Sequence, residues 1–293
     1  MTESQFLAER FEQNRDHLRA VAYRILGSLT EADDAVQEAW LRFNRTEANS
    51  IDNFGGWLTT VVSRVCLDML RARNSRREDE LDEQGPGQPL KIQSSPNPEQ
   101  EALLADSVGL AVMVVLDRLA PAERLAFVLH DMFDLSFDEI SAIIGRSAVA
   151  TRQLASRARK RVRGGAPATP ALSKQKRVVD AFLSALRAGD FNALVSVLDP
   201  NLVVRTDPAA ATPALPTEIR GAEFWAHHAI KTAQGARAAR ATVINGSVGL
   251  VIAPRGQLFR VLRFTFADER ISEIAVIGDH TTLANLDLAL IDK

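Results

Sequence analysis

The stretch from Ser136 to Arg163 constrains the fold of this chain most, because its caps, its turn and its charge all specify one supersecondary unit. Ser136 and Glu139 stand at capping-box spacing, so each can satisfy an orphan backbone N–H at a helix start. Ile140, Ile143 and Ile144 give that short helix one apolar face. Gly145 follows directly and tolerates the left-handed backbone that closes a helix. Ser147 is a good N-cap for a second helix, in which Thr151, Leu154, Ala155, Ala158 and Val162 share one face. Arg152, Gln153, Ser156, Arg159, Lys160 and Arg163 point elsewhere, and no acidic residue lies between Arg146 and Arg163. A charge run is most often a solvated face. Here capping, turn chemistry and one-signed charge agree, and they describe a helix-turn-helix whose second helix enters a major groove.

The chain has 293 residues, enough for two or three compact units. Net charge is only −2, so the basic segments are balanced by acidic ones elsewhere. Cys66 is the single cysteine and sits in an apolar helical stretch. That excludes a disulfide framework and reads as a small core residue in a reducing compartment. The first residues are polar and charged, unlike a signal peptide, and no apolar run is long enough to span a bilayer. A cytoplasmic, non-membrane chain is expected.

Residues from Phe6 to Leu26 have apolar positions at helical period, and Gly27 ends that helix. Thr30 is the N-cap candidate for a second helix, with Asp33 and Asp34 in its first turn, where carboxylates suit the dipole. Asn53 precedes a third helix, Phe54 to Arg71, which runs into Arg73, Arg76 and Arg77. Alone, the acidic face of the second helix and the arginines ending the third are both readable as solvated surface. Beside a helix-turn-helix, the arginines make a second basic surface, which suggests a second contact with the same nucleic acid.

Acidic residues from Glu78 and then Gly85, Pro86, Gly87, Pro89, Pro96 and Pro98 read as a linker. Helical pattern resumes at Glu99, and Pro121 suits the first position of a further helix. Gly164 to Pro170 is a second linker. Beyond it, helices over Val178 to Leu186 and Phe191 to Leu198 come first, and Gly221 to Lys231 is helical. Strand-like runs cover Leu202 to Arg205, Ala241 to Ile244, Val248 to Ala253, Gln257 to Ala267 and Ile271 to Ile277. Turns fall at Asn245-Gly246, Pro254-Arg255-Gly256 and Asp268-Glu269-Arg270. Helices followed by an antiparallel sheet predict an α+β unit. The expected fold class is therefore multidomain, two all-α units followed by an α+β domain.

The order of parts resembles the extracytoplasmic-function (ECF) sigma factors, the promoter-specificity subunits of bacterial RNA polymerase. Asp33-Asp34-Ala35-Val36-Gln37-Glu38-Ala39-Trp40-Leu41 resembles the family's region 2.2. The resemblance implies that Asp34, Gln37, Glu38 and Leu41 dock on the clamp helices of the polymerase β′ subunit. Gly56-Trp57-Leu58-Thr59-Thr60-Val61-Val62-Ser63-Arg64 through Arg77 resembles regions 2.3 and 2.4. Trp57, Ser63, Arg64, Arg71, Arg73, Arg76 and Arg77 are then implied to capture and melt the −10 element. Leu116-Asp117-Arg118-Leu119 with Pro121-Glu123-Arg124 resembles the opening of region 4, and Val149 to Arg159 the −35 helix. Val149, Thr151, Arg152, Gln153, Ser156, Arg157, Arg159, Lys160 and Arg163 are its candidate DNA contacts. Arg152 and Gln153 suit base edges. Arg157, Arg159, Lys160 and Arg163 suit phosphates, with Arg157 partly structural.

The C-terminal order of elements resembles a SnoaL-like (NTF2-like) domain, a curved sheet wrapped around a helix, which a subset of the family carries. Well-described members have a Trp-Leu-Pro-Glu-Pro linker motif, a glycine-rich Asp-Gly-Gly-Gly and an Asn-Pro-Asp-Lys-Leu motif. This chain has none of them in full, and Asp207-Pro208-Ala209-Ala210 stands in place of the glycines. The expected division is region 2 at 1–77, a linker at 78–100, region 4 at 101–163, a linker at 164–173 and the SnoaL-like domain at 174–293. Asp207, Trp225 and His228 are the candidate pocket residues. Paired histidines without acid or cysteine partners are weak metal evidence, so neither metal nor cofactor is expected, and no catalysis. Implied partners are core RNA polymerase, through the β′ clamp helices and β flap, and promoter DNA, with a small ligand or an intramolecular contact at the C-terminal domain. A monomer is expected. The competing reading is a stand-alone regulator with a ligand-sensing domain.

Overall fold

The computed structural model describes residues 3–44, 53–83, 109–163, 169–211, 216–232, 236, 238–254 and 258–291. The chain divides into two compact units. The first comprises Met1–Val108 and Asp117–Arg159, the second Gly109–Leu116 and Lys160–Lys293.

In the first unit, α1 (Glu3–Leu26), α2 (Leu29–Phe43) and α3 (Phe54–Glu83) pack against one another. Phe11, Leu18, Ile25, Phe43, Leu58 and Leu67 are buried between them. Gly27, at φ 82°, closes α1. The cap of α2 is Ser28, two residues before the expected Thr30: its Oγ accepts from the Glu31 N–H. Asn53 caps α3 by accepting from the Gly56 N–H at 3.0 Å. Helix α3 runs well past the expected end at Arg71, because the alanine, arginines, leucine and glutamates after it are good helix formers and the first glycine comes only at Gly85. The expected linker beyond Glu83, and residues 99–108 of the helix expected from Glu99 to Leu119, lie outside the described residues.

Also in the first unit, α5 (Pro121–Phe127) continues into one π-helical turn, Val128–Met132. Then come α6 (Phe137–Ile144) and α7 (Ala148–Arg163), whose last residues belong to the second unit. The capping box forms in both directions, Ser136 to Glu139 and Glu139 to Ser136. Gly145 takes φ 75° as the turn requires, and Ser147 caps α7 through the Ala150 N–H.

The second unit holds α4 (Leu110–Leu116), α8 (Pro170–Ala188), α9 (Phe191–Ser196), α10 (Ala222–Lys231) and α11 (His280–Asn285) around a seven-stranded sheet. Its strands are β1 (Leu198–Thr206), β2 (Glu218–Arg220), β3 (Ala239–Ile244), β4 (Ser247–Ile252), β5 (Arg260–Ala267), β6 (Arg270–Ile277) and β7 (Leu288–Ala289), in the order β2-β1-β6-β5-β4-β3-β7. The sheet is mixed, where an antiparallel one was expected: β1 pairs parallel with β6. The chain leaves β1 through β2 and α10, and the meander β3 to β6 returns its last strand beside β1 in the same direction. Two hairpins turn on residues with positive φ at both central positions, Asn245-Gly246 and Asp268-Glu269. That backbone matches the right-handed twist of the flanking strands.

The helices and sheet of this unit enclose an apolar core that includes Phe182, Trp225, Leu250, Phe264 and Ile274. Helix α8 packs against β3 and β4, and α10 against β1. Phe182 stacks on Trp225 at 5.7 Å and meets Phe264 edge-on at 5.3 Å. The Val248 N–H donates to Gln175 Oε1 at 3.0 Å, which ties α8 to the sheet. In the same unit α4 packs on β3, and the Leu290 N–H donates to the Val162 carbonyl at the end of α7 at 2.8 Å. No helix among the described residues is long and apolar enough to cross a membrane.

Candidate nucleic-acid interface

Helix α7 has two faces. Leu154, Ala155, Ala158 and Val162 are buried, and so is Thr151, whose hydroxyl donates to the Ser147 carbonyl at 3.0 Å. Thr151, expected to contact DNA, instead faces the core here: its hydroxyl, one turn into the helix, satisfies its own backbone. On the other face Val149, Arg152, Gln153, Ser156, Lys160 and Arg163 are exposed at helical spacing, in one stripe. Val149 is 63% exposed, unusual for a branched aliphatic side chain. Two flanking cations are held within the first unit. Arg157 Nε donates to Glu123, whose side chain is buried, at 3.0 Å. Arg159 Nε donates to Asp131 at 2.7 Å. Both arginines keep a partly exposed edge, and both are fixed in place.

The stripe stands on a rigid support. The Glu139 carboxyl is held below its ordinary pKa, chiefly by the Ser136 hydroxyl and then by the Ser136 N–H. His130 lies in the π-helical turn with Nδ1 2.8 Å from the Leu135 carbonyl, so Nδ1 carries the proton and donates. Its ring packs on Phe137 with centroids 4.0 Å apart, and the Arg152 guanidinium lies over the same Phe137 ring at 5.2 Å. Nothing in the linear order connects these three residues, and only the aromatic beside the capping serine gives a local hint.

The −10 candidates do not share one setting. Trp57, Arg64 and Arg71 recur every seven residues along α3, with Trp57 half-buried against Phe43 and both arginines exposed. Arg76 is exposed, and the Arg77 side chain lies outside the described residues. Ser63, by contrast, is fully buried with no partner for its hydroxyl. It cannot meet DNA in this structure, because it faces inward from α3. Arg73 is half-buried and donates to the Leu26 carbonyl and to Glu31, with Asp117 3.8 Å away. Asp117 in turn accepts from Arg124 at 3.1 Å. Arg124 is 2% exposed, and its burial lowers the guanidinium pKa while Asp117 opposes that shift. Arg73 thus belongs to an ion-pair chain at the base of α3 rather than to an open surface. Burial pushes the neighbouring Cys66 thiol well up, which keeps it protonated.

On α2, Asp34 and Gln37 are exposed, Leu41 is 45% exposed, and Glu38 is half-buried and pairs with Arg42. These four lie at spacings of three and four residues, so they share one face.

The C-terminal candidates have separate settings and structural tasks. Asp207 accepts from the backbone N–H groups of Ala210, Gly278 and Asp279, between 2.6 and 2.9 Å. Trp225 is core, stacked on Phe182. His228 is half-buried on α10, with Nδ1 3.0 Å from the Phe224 carbonyl. No group of three or more acidic, histidine or cysteine side chains among the described residues could hold a metal ion.

Comparison with known proteins bears on both helical segments. Residues 10–76 match the family model described as Sigma-70 region 2, and residues 109–162 that described as Sigma-70, region 4. Over 219 residues the chain is 40% identical to a Mycobacterium tuberculosis protein, the ECF RNA polymerase sigma factor SigJ, covering 73% of this chain and 69% of that one. It is 37% identical over 208 residues to a probable ECF RNA polymerase sigma factor, SigI, from the same species, covering 71% and 72%. The crystal structure of the M. tuberculosis SigJ matches across 94% of this chain and 97% of that chain, at 32% identity and a TM-score of 0.45.

Proposed function

This chain belongs to the ECF RNA polymerase sigma factors, and from that premise we propose which surfaces do the work. The protein directs promoter recognition by core RNA polymerase. The exposed stripe on α7 enters the major groove of the −35 element. Arg152 and Gln153 reach base edges, and Val149 offers its methyl groups to a thymine methyl. Lys160 and Arg163 hold phosphates and set register. On α3, Trp57, Arg64, Arg71 and Arg76 face the −10 element, where an aromatic ring and cations suit unstacked single-stranded bases. The Asp34, Gln37, Glu38 and Leu41 face of α2 docks on a basic surface of the polymerase, as its acceptors and one apolar anchor require. Arg73 supports α3 instead of touching DNA.

The observation that carries this reading is the single stripe on α7, continuous, cationic and free of carboxylates, on a helix capped by Ser147 that follows the capping box and left-handed Gly145 of α6. The C-terminal unit modulates activity in cis. Support for that comes from its composition: α4, which lies within the residues matched to region 4, packs on β3, and the tail bonds to the end of α7. Assembly with fluorescently labelled core polymerase tests the docking face. Gln37→Ala with Glu38→Lys is expected to weaken assembly at least tenfold while Arg152→Ala leaves it unchanged. Equal assembly by both variants would sink the assignment of α2.

A further inference from the structure

We propose that Phe137 is a positioning residue for the base-reading Arg152, and that with His130 it forms an aromatic platform that sets −35 specificity. The proposal deepens the reading of α7 as the −35 helix and rests on it.

An exposed arginine on a helix has several rotamers of similar energy, and fixing one of them opposes binding. Arg152 is exposed, yet its guanidinium lies over the Phe137 ring at 5.2 Å, within the range of a cation–π contact. Phe137 is the first residue of α6, directly after the capping Ser136, so its backbone is fixed by the capping box. Its ring is held in turn by His130 at a centroid distance of 4.0 Å.

The platform is itself braced. His130 sits in a π-helical turn, a rare conformation that recurs at functional positions. Its Nδ1–H donates to the Leu135 carbonyl, the Leu135 N–H donates to the Leu129 carbonyl at 3.0 Å, and the Asp134 N–H donates to the His130 carbonyl at 3.2 Å. Asp134 takes φ 57°, a left-handed turn conformation that aspartate tolerates better than most non-glycine residues. A loop pinned at this density serves more than a connection between two helices. It delivers one ring to the place where an arginine must be presented edge-on to a guanine, with its two donors toward O6 and N7. Packing alone would have been met by an aliphatic residue at position 137, which supports a helix start as well but offers no π face.

The test uses full-length chains with core polymerase, on a promoter the wild type initiates from and on templates carrying each single substitution in the −35 element. Run-off rates are compared for wild type, Phe137→Leu, Phe137→Tyr, Arg152→Ala and the double variant Phe137→Leu with Arg152→Ala. Arg152→Ala is expected to flatten discrimination at one base position. Phe137→Leu is expected to lower discrimination at that same position about two- to fivefold, the value of an exposed cation–π contact. Phe137→Tyr, which keeps the ring face, retains it, and Phe137→Leu has no further effect once Arg152 is gone. A uniform loss of rate across all templates would make Phe137 a packing residue and overturn the proposal, as would an undiminished effect of Phe137→Leu in the Arg152→Ala background. Unchanged discrimination in Arg152→Ala at every position would overturn the reading of Arg152 itself, and the proposal with it.

Discussion

Asp117 and Arg124 allow a sharp test of how the first unit is held together. Arg124 is 2% exposed, its Nε has no partner, and its one described acceptor is Asp117 at 3.1 Å. Replacing Asp117 with Ala leaves a buried guanidinium facing Arg73 without the carboxylate between them. Breaking a buried pair in this way costs about 3–5 kcal/mol. The Asp117 side chain is 33% exposed, so water screens part of the loss, and the lower end, about 3 kcal/mol, is expected. Replacing both residues, Asp117→Ala with Arg124→Met, removes the orphaned charge and keeps the volume filled. The double variant should therefore stay within about 1 kcal/mol of wild type, about 2 kcal/mol more stable than Asp117→Ala alone. Urea unfolding followed by tryptophan fluorescence measures this. In a Trp225→Phe background the remaining tryptophans, Trp40 and Trp57, both lie in the first unit, so the signal reports that unit alone. A double variant as unstable as Asp117→Ala would refute the reasoning, because the cost would then not come from an uncompensated charge.

Three further outcomes follow from local geometry. A Cβ on Gly249 would lie 2.6 Å from the Leu262 carbonyl oxygen and 2.5 Å from Ile244, so Gly249→Ala should destabilise the C-terminal unit by about 1–3 kcal/mol in calorimetry. The lowered pKa of Glu139 means the capping box adds stability above the ordinary glutamate pKa and loses it as pH falls through the depressed value. Thermal melts of Glu139→Gln and wild type should therefore converge toward acid pH and separate toward neutrality, and the reverse order would contradict the assignment. Lys160→Ala should weaken promoter binding by the assembled polymerase equally across −35 sequences and reduce the salt slope by about one, as loss of one phosphate contact does.

What was legible in the sequence was local. The capping box at Ser136 and Glu139, the left-handed Gly145 and the Asn245-Gly246 hairpin each depend on a few adjacent residues, and each formed as read. Helix α3 outran its expected end because an acidic run resembles a linker in composition but not in helix propensity. Ser63 and Thr151 were read as contacts from the family resemblance, and both are buried, a fact set by which neighbours pack against the helix. The parallel pairing of β1 with β6 joins strands far apart in the chain, which no local pattern encodes. Arg73 looked like its exposed arginine neighbours, and only Glu31 and Asp117, distant in sequence, show that it braces the helix. The Phe137 platform escaped for the same reason: its partners come from the preceding π-helical turn and the following helix.

The most direct measurement is run-off transcription by core RNA polymerase with the full-length chain on a pool of promoters, beside DNA binding by the chain without polymerase. Initiation that depends on the chain, and that Arg152→Ala redirects among −35 sequences, is the expected result. A chain that binds DNA by itself yet supports no initiation on any promoter would contradict it.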